Sequence, residues 1–163
     1  DLPKPGTIYG KSKYDADKEI FKVKNATVIR LPLLFGPTHK KQIISKLLRL
    51  VKKNKKIYVA NDVYSTPVYS PEVCKFVLNN FIKKKRNFRK KLIHFTGSKL
   101  MSMYQFIFEL SKSLKGLNPK LIVQVKDAYF KTGIKIKPKN LGLTSENRSY
   151  IKKINYKVAK YLV

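Results

Sequence analysis

Tryptophan is absent from this 163-residue chain, cysteine occurs once and histidine twice. The single cysteine, Cys74, excludes an intrachain disulfide and any cysteine-built metal centre, and it fits a reducing compartment. With His39 and His94 as the remaining soft nitrogen ligands, zinc chemistry is effectively excluded. Long apolar runs are also missing. No stretch approaches the roughly 18 to 20 residues of a membrane span, and the opening Asp-Leu-Pro-Lys-Pro-Gly lacks the layout of a signal peptide. The expectation is a soluble, cytoplasmic protein.

Acidic residues are scarce: 9 stand against 37 basic ones, for a net charge of +28. Such a field attracts polyanions, so nucleic acid enters as a partner class. The excess is almost all lysine, however, and arginine, the better bidentate reader of phosphate and guanine, occurs only at 30, 49, 86, 89 and 148. An AT-rich coding bias also produces this mixture of Lys, Ile, Asn, Tyr and Phe. Nucleic acid is therefore admitted but not favoured, and a nucleotide diphosphate gains from the same field. Hydrophobic residues make up 43%, enough for a real core.

Periodicity divides the chain into alternating elements. Tyr9 to Lys24 reads as a helix in which Ile8, Ala16, Ile20 and Phe21 can share one face. Ala26 to Leu34 is a β-rich apolar run ending at Phe35-Gly36-Pro37. A helix from Gln42 to Lys53, a short strand from Lys56 to Ala60 and an irregular loop from Asn61 to Ser70 follow. Pro71 and Glu72 open a third helix, which dissolves at Lys83 to Arg86. Leu92 to Thr96 is a strand, Ser102 caps an amphipathic helix closed by Gly116, and Leu121 to Val125 is a further strand. Short helical stretches are expected from Ser145 to about Ile154 and near Val158. The alternation predicts an α/β fold with part of its sheet parallel. A complete doubly wound nucleotide fold opens with a strand and a glycine-rich turn, whereas this chain opens on a loop and a helix. Either the fold differs or its first half is missing.

A tyrosine and a lysine four residues later share a helix face, where the ammonium favours the phenolate and prepares the phenol for acid–base work. Tyr9–Lys13, Tyr14–Lys18 and Tyr156–Lys160 all have this spacing. Roughly two such pairs arise by chance in so lysine-rich a chain, so the spacing selects none of them. The flanking residues do. Pro5-Gly6-Thr7-Ile8-Tyr9-Gly10-Lys11-Ser12-Lys13 resembles the P-x-x-x-Y-G-x-[ST]-K stretch of the extended short-chain dehydrogenases, with Asp17 at their usual acidic position. Val28 to Pro37 resembles their next strand. Asn61-Asp62-Val63-Tyr64-Ser65-Thr66-Pro67 is similar to the D-Q-x-G-x-P-T loop of dTDP-4-dehydrorhamnose reductases. Leu92 to Gly97, Ser102 to Phe106 and Pro138 to Leu143 resemble three later segments of the same enzymes, in order.

This resemblance implies the C-terminal part of a Rossmann-like extended short-chain dehydrogenase with its substrate-binding region, the N-terminal glycine-rich half being absent. Residues 1–60 would close the catalytic region, and 61–163 would form an interleaved substrate-binding region. It implies NADP or NAD as cofactor and reduction of a nucleotide-activated 4-keto sugar. Tyr9 and Lys13 would be catalytic and touch the cofactor together with Leu33, while Arg30, Asp62 and Thr66 would bind substrate. A separate N-terminal half or a second copy enters as partner. The chain departs from the reductases where they carry Gln, Gly and Thr and it has Val63, Ser65 and Val68, and where their Arg-Thr-Ser-Trp is Arg30-Leu31-Pro32-Leu33. That leaves the sugar open. It also admits a non-catalytic regulatory or binding module, as in the regulatory subunit of methionine adenosyltransferase, or a basic polyanion-binding protein. His94 reads as a hydrogen-bonded core histidine, Met101, Met103 and Phe106 as core, and the basic runs Lys83 to Arg86 and Arg89 to Lys91 as solvated surface.

Overall fold

A computed structural model describes residues 3–37, 42–83, 92–130 and 138–162. Helix α1 spans Ile8–Lys22, with the Thr7 hydroxyl accepting from the Gly10 amide at its start. Strand β1 is Val28–Arg30 and β2 is Leu34–Phe35. Helix α2 is Ile43–Lys52, followed by β3 (Ile57–Ala60), β4 (Tyr64–Ser65) and β5 (Val68–Tyr69). Helix α3 (Ser70–Val77) carries Pro71 in its first turn and runs on as a wider turn over Leu78–Lys83. Then come β6 (Leu92–His94), β7 (Thr96–Gly97), β8 (Met101–Ser102), α4 (Met103–Lys112), β9 (Ile122–Val125) and β10 (Ile151–Lys152).

Among the described residues four strand pairs are parallel: β1 with β6, β2 with β5, β3 with β9 and β7 with β10. Parallel neighbours need crossover connections, and helices supply them, as the predicted alternation requires. The β4–β8 pair is antiparallel.

The core lies where α2 and α4 cover the β3–β9 pair. Ile44, Leu48 and Val51 of α2 and Phe106, Ile107 and Leu110 of α4 are buried together with Ile57, Val59 and Ile122. Burying side chains of this size stabilises by about 1.5–3 kcal/mol each before chain entropy is counted. The Ser102 hydroxyl accepts from the Gln105 amide while the Gln105 side chain accepts from the Ser102 amide, so two of the orphan donors at the start of α4 are satisfied. The helix ends at Lys112, one turn before Gly116, whose φ of 76° turns the chain beyond it.

Four expectations need correction. The run from Ala26 to Leu34 is not one strand: it breaks into β1 and β2 around Pro32, which has no amide hydrogen to give a ladder. Ser145 to Ile154 is not helical, since one 3-10 turn at Arg148–Tyr150 leads into β10 against β7. The loop from Asn61 to Ser70 is more ordered than predicted, because β4 and β5 find partners far away in sequence. The expected face of α1 is also revised. Gly10, Tyr14, Asp17 and Phe21 are half-buried, whereas Ala16 is exposed and Ile8 and Ile20 are 91% and 40% exposed. An ion pair between Asp17 and Arg30 turns that polar face onto β1.

Candidate functional site

A cavity of about 690 Å3 opens between α1, the β1–β2 segment and the start of α4. Tyr9, Lys13 and Asp17 enter it from α1, and Arg30 to Leu33 form an adjoining wall. Val63, Ser65 and Pro67 of the loop after β3 also line it, with Met101, Met103 and Phe106 behind them and Leu141 and Leu143 closing a further side. The wall is mainly apolar, and among the described residues its ionisable groups are Tyr9, Lys13, Asp17 and Arg30.

Of the three tyrosine–lysine pairs, only Tyr9 and Lys13 line this cavity. The Lys13 ammonium lies 5.5 Å from the centre of the Tyr9 ring, and Tyr9 is 72% exposed. Lys18 sits over the Tyr14 ring but bonds to Asp15 on the outer surface. Tyr156 turns its hydroxyl to the Met101 sulfur at 3.8 Å, where burial raises its pKa above the usual phenol value.

Arg30 donates from Nε at 3.0 Å and from Nη2 at 2.7 Å to the same Asp17 oxygen, Oδ2. Both partners are withdrawn from solvent, with side chains 27% and 14% exposed. The hydroxyls on the opposite wall have structural partners. Ser65 accepts from the Leu33 amide at 3.2 Å, and Ser102 caps α4. Met101 and Phe106 are buried core residues, as expected, and they also form the back of the cavity.

Asp62 and Thr66 are not among the cavity-lining residues. Asp62 accepts from the Asp127 amide at 2.7 Å and from the Lys139 ammonium at 2.9 Å. The Lys139 hydrogen bond, then the backbone one, holds the Asp62 carboxyl below the ordinary carboxylate pKa. Thr66 is buried and accepts from the Leu143 amide at 3.0 Å. Both residues fasten the segment 138–144, which lies alongside β4 through Tyr64 N–H to Lys139 O and Leu141 N–H to Tyr64 O. His94 adds a contact between Nδ1 and the Thr144 carbonyl at 3.0 Å, which assigns the proton to Nδ1 and leaves the buried Nε2 without a partner among the described residues. Leu141 and Leu143 are cavity residues that sequence reasoning missed; their alternation within Asn140-Leu141-Gly142-Leu143 is the signal that was there. His39 and the basic residues from Lys84 to Lys91 lie outside the described residues.

The model of one family, the RmlD substrate binding domain, matches residues 1–156. No curated protein matches the chain at the sequence level. Among solved structures, the dTDP-4-dehydrorhamnose reductase of Bacillus anthracis in complex with NADP is 19% identical. It superposes with a TM-score of 0.76 over 99% of this chain and 56% of its own. The Clostridium acetobutylicum orthologue is 22% identical, with a TM-score of 0.72 over 89% of this chain and 49% of its own. The Bacillus anthracis dTDP-glucose 4,6-dehydratase in complex with NAD is 15% identical, with a TM-score of 0.73 over 99% of this chain and 52% of its own. At these identities the likeness establishes the fold, and the chain spans about half the length of the structures it matches.

Proposed function

Because the chain belongs to the RmlD substrate binding domain family, we propose that its cavity receives a nucleotide-activated 4-keto sugar, for reduction with NADPH or NADH as the hydride source. The carrying observation is that Tyr9 and Lys13, alone of three equally spaced pairs, stand at the cavity, with Arg30 and Leu33 on its wall. Residues 1–60 contribute this reacting pair and half of the lining residues, and 61–163 contribute the other half.

The chemistry assigned to Tyr9 is protonation of the alkoxide that forms as the keto carbon is reduced. Lys13, one helical turn away, stabilises the phenolate left behind and offers its ammonium to a ribose hydroxyl. Leu33 gives an apolar surface for a nicotinamide face. A bound nicotinamide dinucleotide in its reduced form would supply the hydride. The residues present suit its reacting end. Its diphosphate finds no glycine cradle among the described residues: Gly36, after β2, has the space beside its Cα filled by the Ser70 side chain.

The test joins this chain to the dinucleotide-binding half of a related reductase and measures NADPH-dependent reduction of dTDP-4-dehydrorhamnose. Reduction by the hybrid, and its loss in Tyr9→Phe, are the expected results. A hybrid that binds NADPH and reduces no 4-keto sugar refutes the proposal.

A second reading, a binding module that does no chemistry, draws on the commitment of Ser65 and Ser102 to structural hydrogen bonds, which leaves the back of the cavity few groups for sugar hydroxyls. Full activity loss on fusion together with retained nucleotide-sugar binding would favour it.

A further inference from the structure

Among the described residues Arg30 is the only guanidinium on the cavity wall, and it is not free to turn. Its Nε and Nη2 converge on Asp17 Oδ2, so the planar fork is fixed in rotation as well as in place. Nη1 is the guanidinium nitrogen that Asp17 does not engage. Asp17 belongs to α1, one turn beyond Lys13 and two beyond Tyr9, while Arg30 ends β1. The pair therefore sets α1 against the strand across the cavity.

We propose that Asp17 is a positioning residue that acts through Arg30. It holds the guanidinium so that the unengaged edge meets an acceptor oxygen of the ligand, and it fixes the face of α1 that carries Tyr9 and Lys13. The ligand group is a phosphoryl or sugar oxygen, so the inference rests on the cavity being a nucleotide-sugar site. Its sign separates it from simple electrostatics. Asp17→Asn makes the cavity more positive, and charge alone would then tighten the binding of a nucleotide diphosphate sugar. A positioning role demands the reverse, because a released arginine samples many rotamers and must be ordered again on binding.

The experiment titrates dTDP-glucose into the 163-residue chain by calorimetry and follows thermal unfolding of each variant in parallel. Asp17→Asn is expected to weaken binding about tenfold, and Asp17→Glu, which keeps the carboxylate, to recover most of that loss. Arg30→Gln is expected to weaken binding as much, and the double variant Asp17→Asn with Arg30→Gln to be no weaker than Arg30→Gln alone, since Asp17 acts through Arg30. Unchanged or tighter binding by folded Asp17→Asn overturns the inference and leaves the cavity assignment standing. Failure of the wild-type chain to bind dTDP-glucose overturns the assignment and the inference with it. Should Asp17→Asn not fold, Arg30→Lys decides. It keeps the charge without the fork, so affinity equal to wild type overturns the positioning role and a loss supports it.

Discussion

The hydroxyls of Thr96 and Thr66 are hydrogen-bonded to each other at 2.7 Å in the protein interior. Thr66 in turn accepts from the Leu143 amide at 3.0 Å and lies 3.4 Å from the Leu143 carbonyl. This small network ties β7, the loop after β4 and the segment 138–144 at one point, and through Leu143 it shapes a wall of the cavity.

Thr66→Val keeps the volume and removes the oxygen, stranding the Leu143 amide, while the Thr96 hydroxyl keeps the Leu143 carbonyl at 3.0 Å as its acceptor. The expected loss of stability is about 1–3 kcal/mol, read as a lower urea midpoint with an unchanged m-value. An unchanged midpoint would show that water or a shifted backbone satisfies the Leu143 amide.

Two glycines should respond oppositely to alanine in cause and in size. A Cβ on Gly97 would run into the Pro67 carbonyl, a backbone atom that cannot swing aside. Gly116 has open space around it but a φ of 76°. Gly116→Ala is expected to cost about 1–2 kcal/mol from the left-handed conformation. Gly97→Ala should cost more and should disturb the β7–β10 pairing. Thermal denaturation ranks the two, and equal losses would contradict the steric argument.

Leu110 is fully buried in α4, whereas Ile8 is 91% exposed at the start of α1. Leu110→Ala should therefore destabilise by about 2–5 kcal/mol, and Ile8→Ala by less than about 0.5 kcal/mol. Denaturant titration of both variants checks the difference.

The Asp62 carboxyl has its pKa lowered by Lys139 and by the Asp127 amide. A depressed folded pKa means that the stabilisation is fully present above the unfolded value of about 3.9. It is lost as pH falls through the lower folded value. The gap in unfolding temperature between wild type and Asp62→Asn should be constant at neutral pH and close below about pH 4. A gap that persists at lower pH would mean that the asparagine disturbs packing, not charge.

Helices α2 and α4 were legible because each declares itself locally, by a capping hydroxyl at Ser102 or by a three- and four-residue apolar spacing from Ile43 to Val51, whereas α1 was read from an apolar face that the structure leaves exposed at Ile8, Ala16 and Ile20. The short strands β4, β5 and β10 were not, since two-residue strands have no period of their own and exist only through partners 30 or more residues away. The flanking residues of Tyr9 carried the family resemblance, yet nothing in the spacing distinguished Tyr9–Lys13 from its two look-alikes. Their separation is a matter of place, because the cavity forms where α1, β1 and the start of α4 meet.

By itself, then, the sequence determined the alternation of strand and helix, the apolar faces of α2 and α4, and the exclusion of a disulfide within these 163 residues. Only the tertiary structure decided that α1 turns Asp17 inward instead of Ile8, and that Asp62 and Thr66 fasten a neighbouring segment. Only the tertiary structure also decided that Leu141 and Leu143 wall the cavity. The physical reason is common to all three. Local periodicity reports which residues share a face, but the partner that face meets is fixed by hydrogen bonds and ion pairs between residues 13 to 77 positions apart.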